Sequence, residues 1–169
     1  MKHLALGIIV LVISPAVKAA DGDSIDTAIR GLYDVISGPA GPRDWPRFRA
    51  MFTEGARLIP TRATPQGPTI TVMTPDDYAT RAGAGFEKNA FYESEVSRRL
   101  EVFGNVAHAF STYESRRAPG EKPFARGINS IQLVKTAGGW RIVTVLWDSE
   151  REGLMIPDKY LASPKTAAN

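Results

Sequence analysis

The spacing of apolar residues changes once along this chain, and that change limits the folds open to it. Near the start, Ile25, Ile29, Leu32 and Ile36 recur at spacings of four, three and four residues, which is the period of a helix with one buried face. From Phe91 onward the period is two, which is typical of strands that bury one side. The chain therefore places its helices first and its long strands last.

Helix boundaries are marked by capping residues and by breaks. The first helix is capped by Asp23 or Ser24 and ends at Gly38-Pro39. Asp44 caps a second helix. The buried side of this second helix is predicted to consist of Trp45, Phe48, Met51 and Phe52. A third helix starts at Thr74-Pro75-Asp76-Asp77, which combines a capping hydroxyl, an early proline and an acid three residues after the cap.

The strands are predicted in two groups. Two short strands, at 56–60 and 69–73, are expected between the second and third helices, with a loop at 61–68. Four long strands are expected after the third helix, at 91–103, 106–116, 124–134 and 140–149. Strands of this length twist and bend within one sheet. We therefore predict an α+β fold: a cone-shaped, curved antiparallel sheet packed on three N-terminal helices, with a pocket inside.

The N-terminus has the composition of a secretory signal peptide. A basic start, Met1-Lys2-His3, precedes the apolar run 4–13, which is too short to span a bilayer as a helix. Val17-Lys18-Ala19 places small residues where a signal peptidase cuts. We expect a signal peptide at 1–19, one domain at 20–162 and a flexible tail at 163–169. The protein is then exported, to a bacterial periplasm or the medium, without membrane attachment after cleavage; a short membrane anchor is the alternative.

Charge and residue types exclude several classes of function. Removal of 1–19 leaves 19 basic and 18 acidic residues, and so small a net charge argues against a nucleic-acid partner. The chain has no cysteine, which excludes thiol chemistry, and the predicted domain has a single histidine, His108, which disfavours a zinc site. Gly83-Ala84-Gly85 lies in a helical pattern and is no phosphate loop. We predict neither a metal nor another cofactor.

The order of elements and three sequence blocks resemble the nuclear transport factor 2-like superfamily, which includes the SnoaL-like polyketide cyclases and steroid isomerase. The blocks are Asp44-Trp45 to Leu58, Thr74-Pro75-Asp76-Asp77-Tyr78, and Asn129 to Val134 followed by Gly139 to Val143 and Trp147. The resemblance implies a cone-shaped fold that hosts enzymes, binding proteins and dimerisation modules alike. The general base of steroid isomerase would fall on or near Pro60, and 124–134 holds no acid for its oxyanion hole. Of the catalytic groups of steroid isomerase, only the tyrosine has a counterpart here, which is Tyr33, so we reject steroid-isomerase chemistry.

Two residues are candidates for catalysis. His108 can exchange protons near neutral pH. If Gly104-Asn105 is a two-residue turn, His108 lies opposite Glu101, and the two form either a base held by a carboxylate or a surface pair on the outer face. Tyr33 lies at the edge of the apolar stripe, from which its hydroxyl could reach a pocket.

The pocket is predicted from aromatic and polar residues on core-facing positions. Asn129 shares a face with apolar neighbours, so its amide either contacts a ligand or forms a structural hydrogen bond. Trp147 is expected on the core face of the last strand. The predicted lining consists of Tyr33, Trp45, Arg57, Tyr78, Asn129 and Trp147.

These features lead to three functional hypotheses. The first is a pocket protein that binds a small, mostly apolar molecule. The second is an acid–base enzyme of the cyclase, dehydratase or isomerase type that uses His108 and Tyr33, and the third is a structural homodimerisation module. Because Ile142 and Leu146 make the second face of the last strand apolar as well, we expect a homodimer through the outer face of the sheet.

Overall fold

The structure, a computed structural model, describes residues 22–161. The predicted signal peptide and the predicted tail at 163–169 lie outside the described residues. The elements within 22–161 are α1 (Ile25–Ile36), α2 (Trp45–Ala50), β1 (Phe52–Thr64), β2 (Gly67–Ile70), α3 (Pro75–Phe86), β3 (Tyr92–Phe103), β4 (Val106–Arg116), β5 (Ala125–Thr136), β6 (Gly139–Ser149) and a 3₁₀ turn (Asp158–Tyr160). The predicted α+β class is confirmed. None of these helices is long and apolar enough to cross a membrane.

The strands form a single curved, unclosed sheet in the order β2-β1-β6-β5-β4-β3. Strands β3 to β6 form the predicted antiparallel meander, and β1 and β2 form a hairpin. One pair departs from the antiparallel pattern: β1 runs parallel to β6, with Leu58 opposite Val145. The chain between these two strands contains α3 and four further strands, which is long enough for the crossover that a parallel pair requires.

The predicted helix starts are confirmed by hydrogen bonds. The side chains of Ser24, Asp44 and Thr74 accept from the backbone N–H three residues later, at 3.1, 2.9 and 3.1 Å. Each cap satisfies an N–H group that has no partner within its helix. These local signals therefore fix where α1, α2 and α3 begin.

The first strand is longer than the sequence indicated. It begins at Phe52, which was expected in the second helix, and it runs through Pro60 to Thr64 instead of ending at the proline. Pro60 pairs with Trp147 of β6, and its carbonyl accepts from the Thr71 N–H at 3.3 Å, so the missing N–H does not end the strand. The expected loop at 61–68 is thus mostly strand, and the second strand occupies Gly67–Ile70 rather than 69–73.

The helices cover one face of the sheet, which we call the inner face; the other is the outer face. On β4 the inner face carries Ala107, Ala109, Ser111, Tyr113 and Ser115, which alternate with outward residues and are all buried. Ala107, Ala109 and Tyr113 form one core together with apolar residues of α1 and α2. The core buries apolar surface, which is the main stabilising contribution to such a fold.

Two β-bulges reverse the alternation of side chains. In β3 the register shifts between Glu95 and Ser97, so that Val96 has no partner on β4. In β6 the register shifts so that Val143 has no partner on β5. An extra residue reverses the alternation between the side chains before it and those after it. Because of the bulge at Val96, Glu93 and Glu95 point to the inner face, although alternation counted back from Leu100 would place them outside.

Candidate functional site

A cavity of about 130 Å³ lies between the helices and the inner face of the sheet. Most of its wall is apolar, with Leu32 and Ile36 from α1, Phe48 from α2, Leu58 from β1 and Val145 from β6. An apolar cavity of about 150 Å³ is known to hold benzene in another protein. The cavity therefore has the size of one six-membered ring.

The polar group that distinguishes this cavity is the carboxyl of Glu93. Its Oε2 accepts a hydrogen bond from the Ser115 hydroxyl at 2.8 Å. Burial raises the pKa of Glu93 from 4.5 to about 7, although hydrogen bonds from Ser115 and Asn129 oppose the shift. At neutral pH the Glu93 carboxyl is thus present in both protonation states, as a general acid or base requires.

Two tyrosines bring hydroxyl groups to the same wall. The Tyr113 hydroxyl lies 2.9 Å from Ser149 Oγ, and burial raises the pKa of Tyr113 to about 12. The Tyr78 ring stacks on Phe48 with centroids 5.4 Å apart. Burial, followed by the nearby charge of Glu93, raises the pKa of Tyr78 well above its usual value. Both hydroxyls therefore stay protonated at physiological pH.

A chain of hydrogen bonds leads from the cavity wall to α1. Asn129 Nδ2 donates to the Tyr33 hydroxyl at 3.0 Å, the Tyr33 and Ser111 hydroxyls lie 2.8 Å apart, and Ser111 Oγ donates to Glu95 Oε1 at 2.5 Å. Because the proton of Ser111 goes to Glu95, Tyr33 must donate to Ser111 while it accepts from Asn129. The chain therefore orients the Asn129 amide with its nitrogen toward Tyr33.

The far end of this chain is held by an ion pair. Arg98 Nε lies 3.1 Å from Glu95 Oε1, and Arg98 Nη2 lies 2.9 Å from Asp26 Oδ1 on α1. Burial raises the pKa of Tyr33 well above its usual value. The single proton of Tyr33 is already used inside the protein, so Tyr33 supports the cavity wall rather than donating to a ligand.

Several solved structures of bacterial proteins share this arrangement of helices and sheet. A protein of unknown function with a cystatin-like fold from Nostoc punctiforme matches with a TM-score of 0.58 and 11% identity, over 75% of this chain and 89% of that chain. An NTF2-like protein of unknown function from Pseudomonas putida matches with a TM-score of 0.57 and 11% identity, over 79% and 90% of the two chains. The chain has the nuclear transport factor 2-like (NTF2-like) fold.

A third structure with the NTF2-like fold is a provisionally assigned dehydratase from Streptomyces avermitilis. It matches with a TM-score of 0.58 and 9% identity, over 78% of this chain and 96% of that chain. At identities this low the likeness concerns the fold alone. No family model matches the chain. No curated protein matches it either.

Three of the six residues predicted for the pocket line the cavity of this NTF2-like domain: Tyr78, Asn129 and Trp147. Trp147 lies at the end of β6, with its ring centroid 6.4 Å from that of Tyr78. Asn129 is 6% exposed and lines the cavity, and it donates to the Tyr33 hydroxyl, which is the structural hydrogen bond that the sequence offered as one of two alternatives. The structure thus brings these three residues together.

The other three predicted pocket residues do not line the cavity. Tyr33 lies behind Asn129 in the wall. Trp45 packs on the far side of Phe86, with ring centroids 6.2 Å apart. Arg57 is exposed and turns back to its own strand, where it donates to the Ala56 carbonyl at 2.9 Å. Because the neighbouring Leu58 points inward, Arg57 points to the outer face.

His108 lies on the outer face of the NTF2-like sheet. The predicted pairing is present, with Glu101 opposite His108 across the β3–β4 turn. The His108 Nε2 lies 3.0 Å from Ser130 Oγ, on the outer side of β5. Tyr33 points inward, so the structure does not bring His108 and Tyr33 into one site. Within residues 22–161, no group of three or more His, Cys, Asp or Glu side chains is placed to hold a metal ion.

Glu93 is the site residue that sequence reasoning missed. The bulge at Val96 hides it, because alternation counted back from Leu100 assigns Glu93 to the outer face. One signal was available: Ser115 and Asn129 occupy core-facing positions, and buried polar side chains need partners. That requirement favours a polar side chain on the strand beside them.

Proposed function

We propose that this protein binds a small, mostly apolar molecule in the cavity beneath its helices, with Glu93 as the polar anchor. The observation that supports this most strongly is the Glu93 carboxyl in the wall of a mostly apolar cavity, where burial raises its pKa to about 7. Binding sites of this kind combine apolar walls with few polar groups that fix the ligand's orientation. The volume of about 130 Å³ limits the ligand to about one ring.

The polar groups define what that ring should carry. Among residues 22–161, none forms a hydrogen bond with the Tyr78 hydroxyl, which therefore has a proton to donate. Glu93 can accept a hydrogen bond when ionised and donate one when protonated. A ring with one oxygen, such as a phenol, a cyclic alcohol or a cyclic ketone, can pair with both groups.

The proposal is tested by titrating the isotopically labelled protein with phenol and cyclohexanone while amide and indole NMR signals are recorded. We expect saturable shifts at Tyr78, Asn129 and the Trp147 indole. The two-ring compound 1-naphthol should bind more weakly because it exceeds the cavity. The variant Val145→Phe fills the cavity and should abolish binding, whereas Val143→Phe on the same strand lies outside this cavity and is the matched control.

Two results would contradict the binding proposal. One is the absence of saturable shifts with every single-ring compound at millimolar concentration. The other is binding that survives Val145→Phe, which would place the ligand elsewhere. Circular dichroism of each variant confirms that the domain remains folded.

Proton transfer by Glu93 is a second candidate function. The pKa of about 7 favours it, because a general base works best when its pKa lies near the ambient pH. On a cyclic ketone, the Glu93 carboxylate would take the proton next to the carbonyl while the Tyr78 hydroxyl donates a hydrogen bond to the carbonyl oxygen. This acid–base hypothesis replaces His108 and Tyr33 with groups that share one cavity.

The two functions are separated by hydrogen exchange. In D₂O, an enzyme of this kind exchanges the α-hydrogens of cyclohexanone for deuterium, which proton NMR detects as loss of signal. Glu93→Gln should abolish the exchange and retain binding. A wild-type protein that binds the ketone without exchange is a binding protein only.

Export and dimerisation stay proposals. We propose export to the periplasm, and the mass of the protein recovered from a periplasmic fraction should correspond to a chain that begins at Ala20.

We propose a homodimer through exposed apolar residues of the outer face, among them Phe103 and Val106, which are 87% and 55% exposed. Sedimentation velocity should show a dimer that Phe103→Asp converts to a monomer, and a monomeric wild type would rule this out. A dimer whose cavity binds no ligand would favour the structural module.

A further inference from the structure

The chain after β6 turns back over the outer face of the sheet, and we call residues 150–160 the strap. At its start the Glu150 N–H donates to the Arg126 carbonyl of β5 at 2.8 Å, and within the strap the Ile156 N–H donates to Glu150 Oε1 at 3.1 Å. At its end the Tyr160 ring packs on Phe110 of β4, with centroids 5.0 Å apart. The Thr112 hydroxyl also donates to the Tyr160 carbonyl at 2.6 Å. The strap is therefore anchored to the outer face at both ends.

A second cavity, of about 370 Å³, lies between the strap and the sheet. The sheet contributes Phe110, Ile128 and Leu146, and the strap contributes Met155 and Ile156. Cavities that bind drug-sized ligands, larger than one ring, measure about 300–1,000 Å³. This outer cavity is thus larger than the one beneath the helices and falls within that range.

The polar groups at the edge of the outer cavity already have partners in the protein. Asp148 Oδ1 accepts from Arg151 at 2.7 Å and from its neighbour's N–H at 2.8 Å. Glu150 accepts from the Ile156 N–H at 3.1 Å, and the Thr61 hydroxyl donates to a carbonyl of β6 at 3.0 Å. The Ser130 hydroxyl is paired with the His108 ring at 3.0 Å. A ligand here would be held by apolar contacts, in contrast to the inner cavity, where the Tyr78 hydroxyl has no hydrogen-bond partner among residues 22–161.

We infer that the outer cavity is a second binding site, for a neutral apolar molecule of about two rings that the inner cavity cannot hold. The occupant is a small molecule because the strap covers this part of the sheet. The flat surface of another protein would contact the strap and could not reach the sheet residues that line the cavity. The two acidic side chains at the edge form ion pairs, Asp148 with Arg151 and Glu150 with Arg126, so the edge favours a neutral ligand over a charged one. Met155, which is 67% exposed, is an unbranched side chain that can adapt to a ligand.

The test uses N-phenyl-1-naphthylamine, a neutral two-ring probe whose fluorescence rises in apolar surroundings, and the full folded domain. We expect saturable binding that Leu146→Glu weakens at least about tenfold, because a charge in an apolar cavity is costly. Leu146 and Met155 are both partly exposed, so Leu146→Glu and Met155→Glu should fold, and both should weaken binding. The matched control Val143→Glu lies on the same strand but outside this cavity, and should bind the probe as the wild type does.

Three outcomes would overturn the inference. The first is no saturable probe binding to the wild type. The second is binding that resists Leu146→Glu and Met155→Glu, or that is lost in Val145→Phe, which would place the probe in the inner cavity. The third is a dimer in sedimentation velocity that Leu146→Glu dissociates while the probe fails to bind, which would make this surface an interface between copies of the chain.

Discussion

Replacement of Glu93 by glutamine tests the electrostatics of the inner cavity. Glu93 has its pKa raised from 4.5 to about 7 in the folded protein, chiefly by burial. A carboxyl with a raised pKa contributes its full share of stability below pH 4.5 and loses it as the pH rises through 7. Glutamine has nearly the same shape and no charge, so Glu93→Gln should remove this dependence on pH.

The size of the effect follows from the two pKa values. Each pH unit between 4.5 and about 7 corresponds to about 1.4 kcal/mol, which gives about 3 kcal/mol in total. The wild type should therefore lose about 3 kcal/mol of unfolding free energy relative to Glu93→Gln between about pH 4 and about pH 8. The unfolding free energy of Glu93→Gln minus that of the wild type is therefore expected to be larger at the higher pH than at the lower pH.

The assay is urea unfolding of both proteins at each pH, followed by circular dichroism. Glu101→Gln is the matched control, since it removes one carboxylate from the same strand at an exposed position on the outer face. We expect a gain in unfolding free energy over the wild type at high pH for Glu93→Gln, whose carboxylate lies in the cavity, and no such gain for Glu101→Gln. A difference between wild type and Glu93→Gln that does not change with pH would refute the reasoning.

Three further substitutions test the placement of other residues. Tyr33→Phe removes a buried hydroxyl together with its hydrogen bonds to Ser111 and Asn129, so urea unfolding should show a loss of about 1–3 kcal/mol. Gly127→Ala would place a Cβ 2.4 Å from the Asp148 carbonyl oxygen, and a loss of about 3 kcal/mol is expected; an unchanged stability would mean that the strands do not pack as described. His108→Ala should leave the NMR-measured affinity for phenol unchanged, because His108 lies on the outer face, and a weakened affinity would contradict that placement.

Much of the fold could be predicted because its signals are local. The caps at Ser24, Asp44 and Thr74 each depend on one side chain and the N–H three residues later. The turn at Gly104-Asn105 alone fixes the register that places Glu101 opposite His108. The bounds of the four long strands follow from such turns and from the period of two.

The face of each side chain was harder to predict because it depends on bulges. The bulge at Val96 decides that Glu93 enters the cavity, and no residue type marks that position. The face of His108 was open for a different reason: the strap makes part of the outer face apolar, so hydrophobicity does not tell the two faces apart. Arg57 was misplaced because its neighbours Ala56 and Leu58 are the buried residues of β1, so alternation turns Arg57 to the outer face.

The ionisation of Glu93 in the presence of a ligand tests the central claim most directly. Carbon-13 NMR of the Glu93 carboxyl carbon gives its midpoint of titration in the free protein and with saturating phenol. We predict a midpoint near 7 in the free protein, and a shift of that midpoint when phenol is bound. A midpoint near 4.5 that phenol leaves unchanged would show that Glu93 meets water rather than a ligand, and would contradict the proposed site.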